Sequence, residues 1–183
     1  MPRLFVAIEL PSDVKERLVA LKTHIPTAQW VNPEQMHLTL RFLGQVPDDR
    51  VETVKSTLET VQSPCFDLKL RGVGRFPPQK KKAPRVLWAG IVPQPTLMDL
   101  QKKIENELRL ARFPPDNKAF HPHITLARLK VQKPVKQASN FLTAQARFRV
   151  SPFSVTRFVL VKSVLSSQGP TYTNEAAYNL SRG

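Results

Sequence analysis

Two tetrapeptides in this chain have the composition of proton-transfer chemistry. His37-Leu38-Thr39-Leu40 and His123-Ile124-Thr125-Leu126 share the pattern His-x-Thr-apolar and lie 86 residues apart. In an extended strand, side chains alternate between faces. Each His therefore shares a face with its Thr, while the apolar residues take the other face. A polar pair backed by apolar partners must look into water or a polar cleft. One such tetrapeptide is weak evidence, because a strand hydroxyl is often satisfied by nearby backbone. Two copies at matching places in a duplicated order carry much more. An imidazole titrating near 6.5 both accepts and donates protons near neutrality. Two of them on opposite sides of one phosphorus supply a general base and a general acid for an in-line displacement, each typically worth about 10²–10⁴ in rate. The hydroxyls can donate to non-bridging phosphate oxygens and stabilise charge that grows in the transition state. Such chemistry needs no metal when the ester is already activated, as in a strained five-membered cyclic phosphate.

The elements that must position these residues recur in order. Leu4 to Glu9 reads as a strand. Pro11-Ser12 opens a helix to about His24, with Ser12 as its cap and Val14, Leu18, Leu21 and Ile25 as its buried stripe. Met36 to Leu43 alternates as a second strand. Asp48 caps a second helix, with Val51, Val54, Leu58 and Val61 inward, ended by Ser63-Pro64. Phe66, Leu68 and Leu70 alternate with Asp67, Lys69 and Arg71 as a third strand. The same order then returns: a strand Val86 to Ile91, a helix from Pro95 with Leu97, Leu100, Ile104 and Leu108 along one side, a strand Phe120 to Leu129, a helix from Pro134, and a strand Phe153 to Lys162. Ser63-Pro64 and Ser151-Pro152 repeat at an offset of 88, close to the 86 of the motifs. This is an internal duplication. It divides the 183 residues into a first repeat at 1–75, a basic connecting loop at 76–85, a second repeat at 86–162 and a C-terminal hairpin strand at 163–183, all within one bilobal domain.

The chain carries 28 Lys and Arg against 14 Asp and Glu, a formal charge of +14. That excess suggests a polyanionic partner, nucleic acid first. The Lys80-Lys81-Lys82 run has two readings, a solvated linker or a grip on polynucleotide phosphates. A single cysteine, Cys65, excludes a disulfide framework and a Cys-rich zinc module. No apolar run approaches the roughly 18–20 residues needed to span a bilayer, and Glu9 falls too early for a secretory apolar segment. The expectation is a cytoplasmic monomer with no membrane association.

The two motifs and their separation, the opening Arg3-Leu4-Phe5-Val6-Ala7-Ile8, the Arg41-Phe42-Leu43-Gly44 after the first motif and the Leu126-Ala127-Arg128 of the second resemble the two-histidine (2H) phosphoesterase superfamily. Within it, the chain looks most like the RNA 2′,3′-cyclic phosphodiesterases, also called 2′-5′ RNA ligases. The resemblance covers nearly the whole chain. It implies a bilobal α+β fold of duplicated β-α-β-α-β units, with mainly antiparallel sheets lining a central cleft and helices outside. It implies hydrolysis of an RNA-terminal 2′,3′-cyclic phosphate to a 2′-phosphate, with ligation to a 5′-hydroxyl as the reverse-type reaction, and no cofactor. Carried over to this chain, His37 is the proton donor to the 3′-oxygen, His123 the proton acceptor from water, and Thr39 and Thr125 the phosphate-binding residues. The substrates are RNA with 2′,3′-cyclic phosphate termini, tRNA halves being one such class.

Other residues keep alternatives open. Arg128 suits two-pronged phosphate contact, yet strict alternation places it with Ile124 and Leu126, away from His123; a bulge or strand end would bring it back. Alternation puts Arg41 on the His37 face, to approach substrate or to pair with an acid at the rim, the second being favoured. His121 and His123 could ligate a metal, but no third ligand is evident. Phe42, Phe76, Phe113, Phe120 and Tyr172 are stacking candidates without a choice among them, and Phe5 and Trp88 read as core. Two other functions compete with RNA-end hydrolysis: a non-catalytic module that binds RNA ends, and a phosphodiesterase for a small nucleotide.

Overall fold

A computed structural model describes residues 1–182. In chain order the elements are β1 (Arg3–Glu9), α1 (Ser12–Val19), β2 (Gln29–Trp30), β3 (His37–Gln45), α2 (Val51–Glu59), β4 (Phe66–Phe76), β5 (Val86–Ile91), α3 (Pro95–Leu110), β6 (His123–Arg128), α4 (Lys136–Ala144), β7 (Arg149–Val155), β8 (Arg157–Ser166) and β9 (Gly169–Asn179). They build two sheets, ordered β3-β1-β8-β9 and β2-β6-β5-β4-β7. Every pairing between these strands is antiparallel.

One continuous core joins the two sheets. Leu4, Val6 and Ile8 of β1, Leu38 and Leu40 of β3, Leu68 and Leu70 of β4, and Ile124 and Leu126 of β6 all enter it, with α1, α2, α3 and α4 contributing their apolar stripes. In α3 the stripe Leu97, Leu100, Ile104 and Leu108 is fully buried. Burial of such side chains is worth about 1.5–3 kcal/mol each, so this helix is held by packing. Pro95 sits at its first position, and the Gln94 side chain accepts from the Thr96 N–H at 3.3 Å.

The third strands of the two repeats are exchanged. β4 leaves the first repeat and pairs with β5 and β7, while β8 leaves the second and pairs with β1 and β9. The sheets are therefore not the sequence halves. Segment 76–85 does not bridge the lobes either: it is the loop of the β4–β5 hairpin, inside one sheet. The stretch expected as one strand from Phe153 to Lys162 breaks at Thr156 into β7 and β8, which lie in different sheets. Helix α1 stops at Val19, short of His24, and Pro11 rather than Ser12 occupies its cap without a side-chain bond. The third strand outruns its expected end at Arg71. Gly72, at φ 72°, takes up a bulge between Leu70 and Val73, and β4 continues past it to Phe76.

Candidate functional site

The motif strands β3 and β6 lie within contact of each other, one from each sheet. His37 opens β3 and His123 opens β6. In both strands alternation holds through the tetrapeptide: Leu38, Leu40, Ile124 and Leu126 are buried in the core, and His37, Thr39, His123 and Thr125 are half-buried along one cleft. The cleft is about 990 Å³ and is also lined by Phe42, Phe76, Arg128 and Tyr172. The floor beside His37 is a small apolar patch distinct from the main core, made by Phe5, Ala7, Val159 and Val161 with Tyr172 against them.

The two imidazoles are anchored alike. His37 Nδ1 lies 2.6 Å from the Gln35 carbonyl, and His123 Nδ1 lies 2.6 Å from the His121 carbonyl. A carbonyl only accepts, so each Nδ1 carries the proton and each Nε2 is left as the titrating atom. His37 Nε2 sits 2.8 Å from Thr39 Oγ1, whose hydroxyl donates to it when the ring is neutral. Gln35 is held in turn: its Nε2 donates to the Pro170 carbonyl at 2.5 Å, tying the start of β9 to the turn before β3. Aromatic rings fix both imidazoles. Phe5 stacks on His37 at 4.8 Å and Tyr172 meets its edge at 5.5 Å; Phe76 and Trp88 flank His123 at 5.0 and 6.3 Å. Trp88 has room because Gly74 lies beneath it: a Cβ there would fall 2.1 Å from the indole ring.

Burial pushes His37 from the usual 6.5 down to about 4, against the opposing pull of the Gln35 carbonyl, and the Arg128 charge adds to the fall. Burial lowers His123 too, again with Arg128 contributing. Both rings therefore rest neutral near pH 7, and each can act as a base. An anion in the cleft would offset Arg128 and favour the imidazolium form of either ring.

Arg128 reaches the cleft through a bulge. The β5–β6 register slips between Leu87 and Trp88, so Leu126 and Ala127 are both buried and the phase of the strand inverts. Arg128 thereby joins the face of His123 and Thr125, exposed and lining the cleft. β3 has the same slip between Val6 and Ala7 of its partner β1. There it turns Arg41 inward. Arg41 is 5% exposed, ion-paired with Glu105 and bonded to the Phe42 and Pro114 carbonyls. It pairs with an acid, as favoured, and lies almost wholly buried under the cleft wall, with Glu105 partly exposed. The residue that the slip delivers to the cleft is Phe42, 58% exposed, which stands to His37 as Arg128 stands to His123. Sequence reasoning left Phe42 unassigned, although the offset of 86 that relates the motifs also relates Phe42 to Arg128. It gave no hint of Gln35, and it assigned Phe5 and Trp88 to the core without their contacts to the histidines. Phe120 lines the cleft, whereas Phe113 is buried beneath the Arg50 guanidinium. His121 supports His123 through its carbonyl. Among the described residues, no three His, Cys, Asp or Glu side chains are grouped to hold a metal ion, and no helix is long and apolar enough to cross a membrane.

Two antiparallel sheets sharing one core with four helices, and a histidine-bearing strand from each sheet meeting across a cleft, define the two-histidine phosphoesterase scaffold. The model of the 2′-5′ RNA ligase superfamily matches residues 10–165, and the chain belongs to that superfamily. It is 34% identical over 176 residues to a Thermotoga maritima protein named RNA 2′,3′-cyclic phosphodiesterase, covering 93% of this chain and 91% of that one. The Thermus thermophilus protein TT0787 superposes with a TM-score of 0.79 at 29% identity over 97% of both chains. E. coli LigT complexed with 3′-AMP superposes with a TM-score of 0.78 at 26% identity over the whole of both. The resemblance read from the two motifs, and the bilobal α+β fold it implied, both hold.

Proposed function

We propose that this protein hydrolyses RNA-terminal 2′,3′-cyclic phosphates to 2′-phosphomonoesters by metal-independent acid–base catalysis. The observation that carries the reading is the matched pair of imidazoles on one cleft, each with Nδ1 anchored to a carbonyl and Nε2 free to titrate. The names of the relatives support the substrate class, and the complex of E. coli LigT with 3′-AMP supports a nucleotide as ligand.

In the hydrolytic direction His123 Nε2 takes a proton from water as the oxygen attacks phosphorus. The P–O3′ bond breaks on the opposite side, and His37 Nε2 donates its proton to the departing 3′-oxygen. Water oxygen is now bonded to phosphorus, the product is a 2′-monoester, and the two rings have exchanged protonation states through the reaction. Solvent exchange resets them. Thr39 and Thr125 donate to the non-bridging oxygens, and Arg128 offsets their charge. Thr39 is already placed by His37 and needs only to turn its hydroxyl from Nε2 to the phosphate. With a 5′-hydroxyl in place of water, His123 takes that hydroxyl's proton, His37 again protonates the departing 3′-oxygen, and the product is a 2′-5′ bond; the labels exchange only when that bond is cleaved back to the cyclic phosphate.

The test is turnover of an oligonucleotide ending in a 2′,3′-cyclic phosphate, in excess chelator, with the product read by phosphorus NMR. Sustained turnover to a 2′-monoester supports the reading. A 3′-monoester would reverse the leaving oxygen, and complete dependence on a divalent ion would end the mechanism. His37→Ala and His123→Ala should each cost about 10²–10⁴ in rate.

A further inference from the structure

The net charge of the chain is confined to part of the fold. Residues 68–98 contain seven Lys and Arg and no acid; residues 117–156 contain seven more, again with no acid. The remainder holds 14 of each sign and is balanced. The two acid-free stretches comprise β4 from Leu68 onward, β5, β6, α4 and β7, which is the five-stranded sheet without its two-residue edge strand β2. The lobe that carries β3 and His37 has no such excess. A charge of +14 placed for solubility alone would not separate by lobe.

Within the basic lobe, Lys118 and Arg128 line the cleft, and six further cations gather at the end of the sheet where Arg128 lies. There β4 ends at Phe76, β5 begins at Val86 and β6 ends at Arg128. Backbone bonds lock the outgoing loops together: Arg85 N–H donates to the Phe76 carbonyl at 2.8 Å and Leu129 N–H to the Arg85 carbonyl at 2.9 Å. The β4–β5 loop, with Lys80, Lys81, Lys82 and Arg85, thus leaves beside the β6–α4 loop, with Lys130 and Lys133. All six are exposed. The first loop is braced from within, since the Arg75 guanidinium bonds to the Pro77 and Lys82 carbonyls and Lys82 N–H donates to the Gln79 carbonyl. It begins at Phe76, the ring against His123. A braced loop presents its charges with less ordering entropy lost on binding than a loose one.

We propose that this edge is the track for the RNA chain: nucleotides upstream of the terminal cyclic phosphate run out of the cleft past Arg128 and across the β4–β5 and β6–α4 loops, with Lys80–Lys82 gripping their phosphates. The proposal rests on the hydrolase reading above for the placement of the terminus. It assigns the basic lobe to substrates longer than one nucleotide and leaves the chemistry to the cleft.

The test compares a Lys80→Glu/Lys81→Glu/Lys82→Glu variant with the wild type on two substrates: a 2′,3′-cyclic mononucleotide and a decanucleotide with the same terminal nucleotide. A Lys22→Glu/Lys102→Glu variant, exposed on other elements, controls for global charge. Neutralising three single-strand phosphate contacts should lower the slope of log(kcat/KM) against log[salt] by about 2 for the decanucleotide, so that the wild-type advantage shrinks about 15-fold between 50 and 200 mM salt. The mononucleotide should be unaffected within about twofold. Equal loss on both substrates, an unchanged salt slope, or the same loss in the control variant would overturn the track. Equilibrium binding of a decanucleotide with a 2′-phosphate end separates the two readings. If the wild type turns over neither substrate, the hydrolase reading falls, while a salt-dependent loss of binding in the triple variant still supports the track and unchanged binding still refutes it.

Discussion

Raising the pH should disable the free protein before it disables the substrate complex. In the proposed direction, productive encounter requires a proton on His37 and none on His123. With His37 lowered to about 4 by burial, only about one free molecule in a thousand carries that proton at pH 7. His123 is lowered below 6.5 as well. Above pH 6.5 it is mostly neutral, and the productive fraction falls about tenfold for each further unit. kcat/KM at pH 8.5 should therefore be about one hundredth of its value at pH 6.5. The phosphodiester stays a monoanion throughout, so the substrate contributes nothing to this limb. Once bound, its charge offsets the desolvation of His37 and the push from Arg128. kcat should accordingly hold to higher pH than kcat/KM. The assay is initial rate on a cyclic-phosphate-ended oligonucleotide, below and above saturation, from pH 5 to 9. A kcat/KM that is flat or rising between pH 6.5 and 8.5 would refute the need for a proton on His37 in the free state.

Stability should respond to pH with the opposite sign. Because the folded protein disfavours the charged ring, His37 destabilises it as pH falls from 6.5 towards 4; a drop from 6.5 to about 4 is worth roughly 3 kcal/mol. Urea unfolding at pH 7 and pH 4 should show a smaller acid loss in His37→Gln than in the wild type, and equal losses would remove His37 as a cause. Arg41→Ala removes the buried partner of Glu105, which keeps some water and the Asp116 N–H, and should cost about 2–3 kcal/mol in urea unfolding; a cost below about 1 kcal/mol would show the pair to be well hydrated. Gly74→Ala drives a methyl into Trp88, the neighbour of His123. About 1–3 kcal/mol of stability should go, and activity should fall further than the fraction unfolded explains. A variant with unchanged melting temperature and rate would show that Trp88 can shift freely.

The motifs were legible because two periodicities coincide in them. The strand period of two sets His37 and Thr39 opposite Leu38 and Leu40, and the duplication repeats that setting at His123. Helix α3 was equally plain, since its four apolar residues follow helical spacing and all are fully buried. What the pattern hid lies where regularity breaks. A single extra residue in β3 and in β6 inverts the phase, which exchanges Arg41 for Phe42 and carries Arg128 to the cleft. No composition signal marks that slip, because the residues on both sides of it still alternate. The exchange of β4 and β8 was hidden for another reason. Pairing partners are chosen over long separations, and local spacing carries no information about them.

That exchange also sets how the chain must come together. β1 lies between β3 and β8, and its Ala7 pairs with Val159, about 150 positions later. During synthesis the earliest strand has only one neighbour until most of the polypeptide has emerged from the ribosome, leaving its other edge open for that interval. Neither repeat can mature as an autonomous unit. A nick inside the β4–β5 loop should give two polypeptides that clasp each other through reciprocal strands, instead of two independent folding bodies.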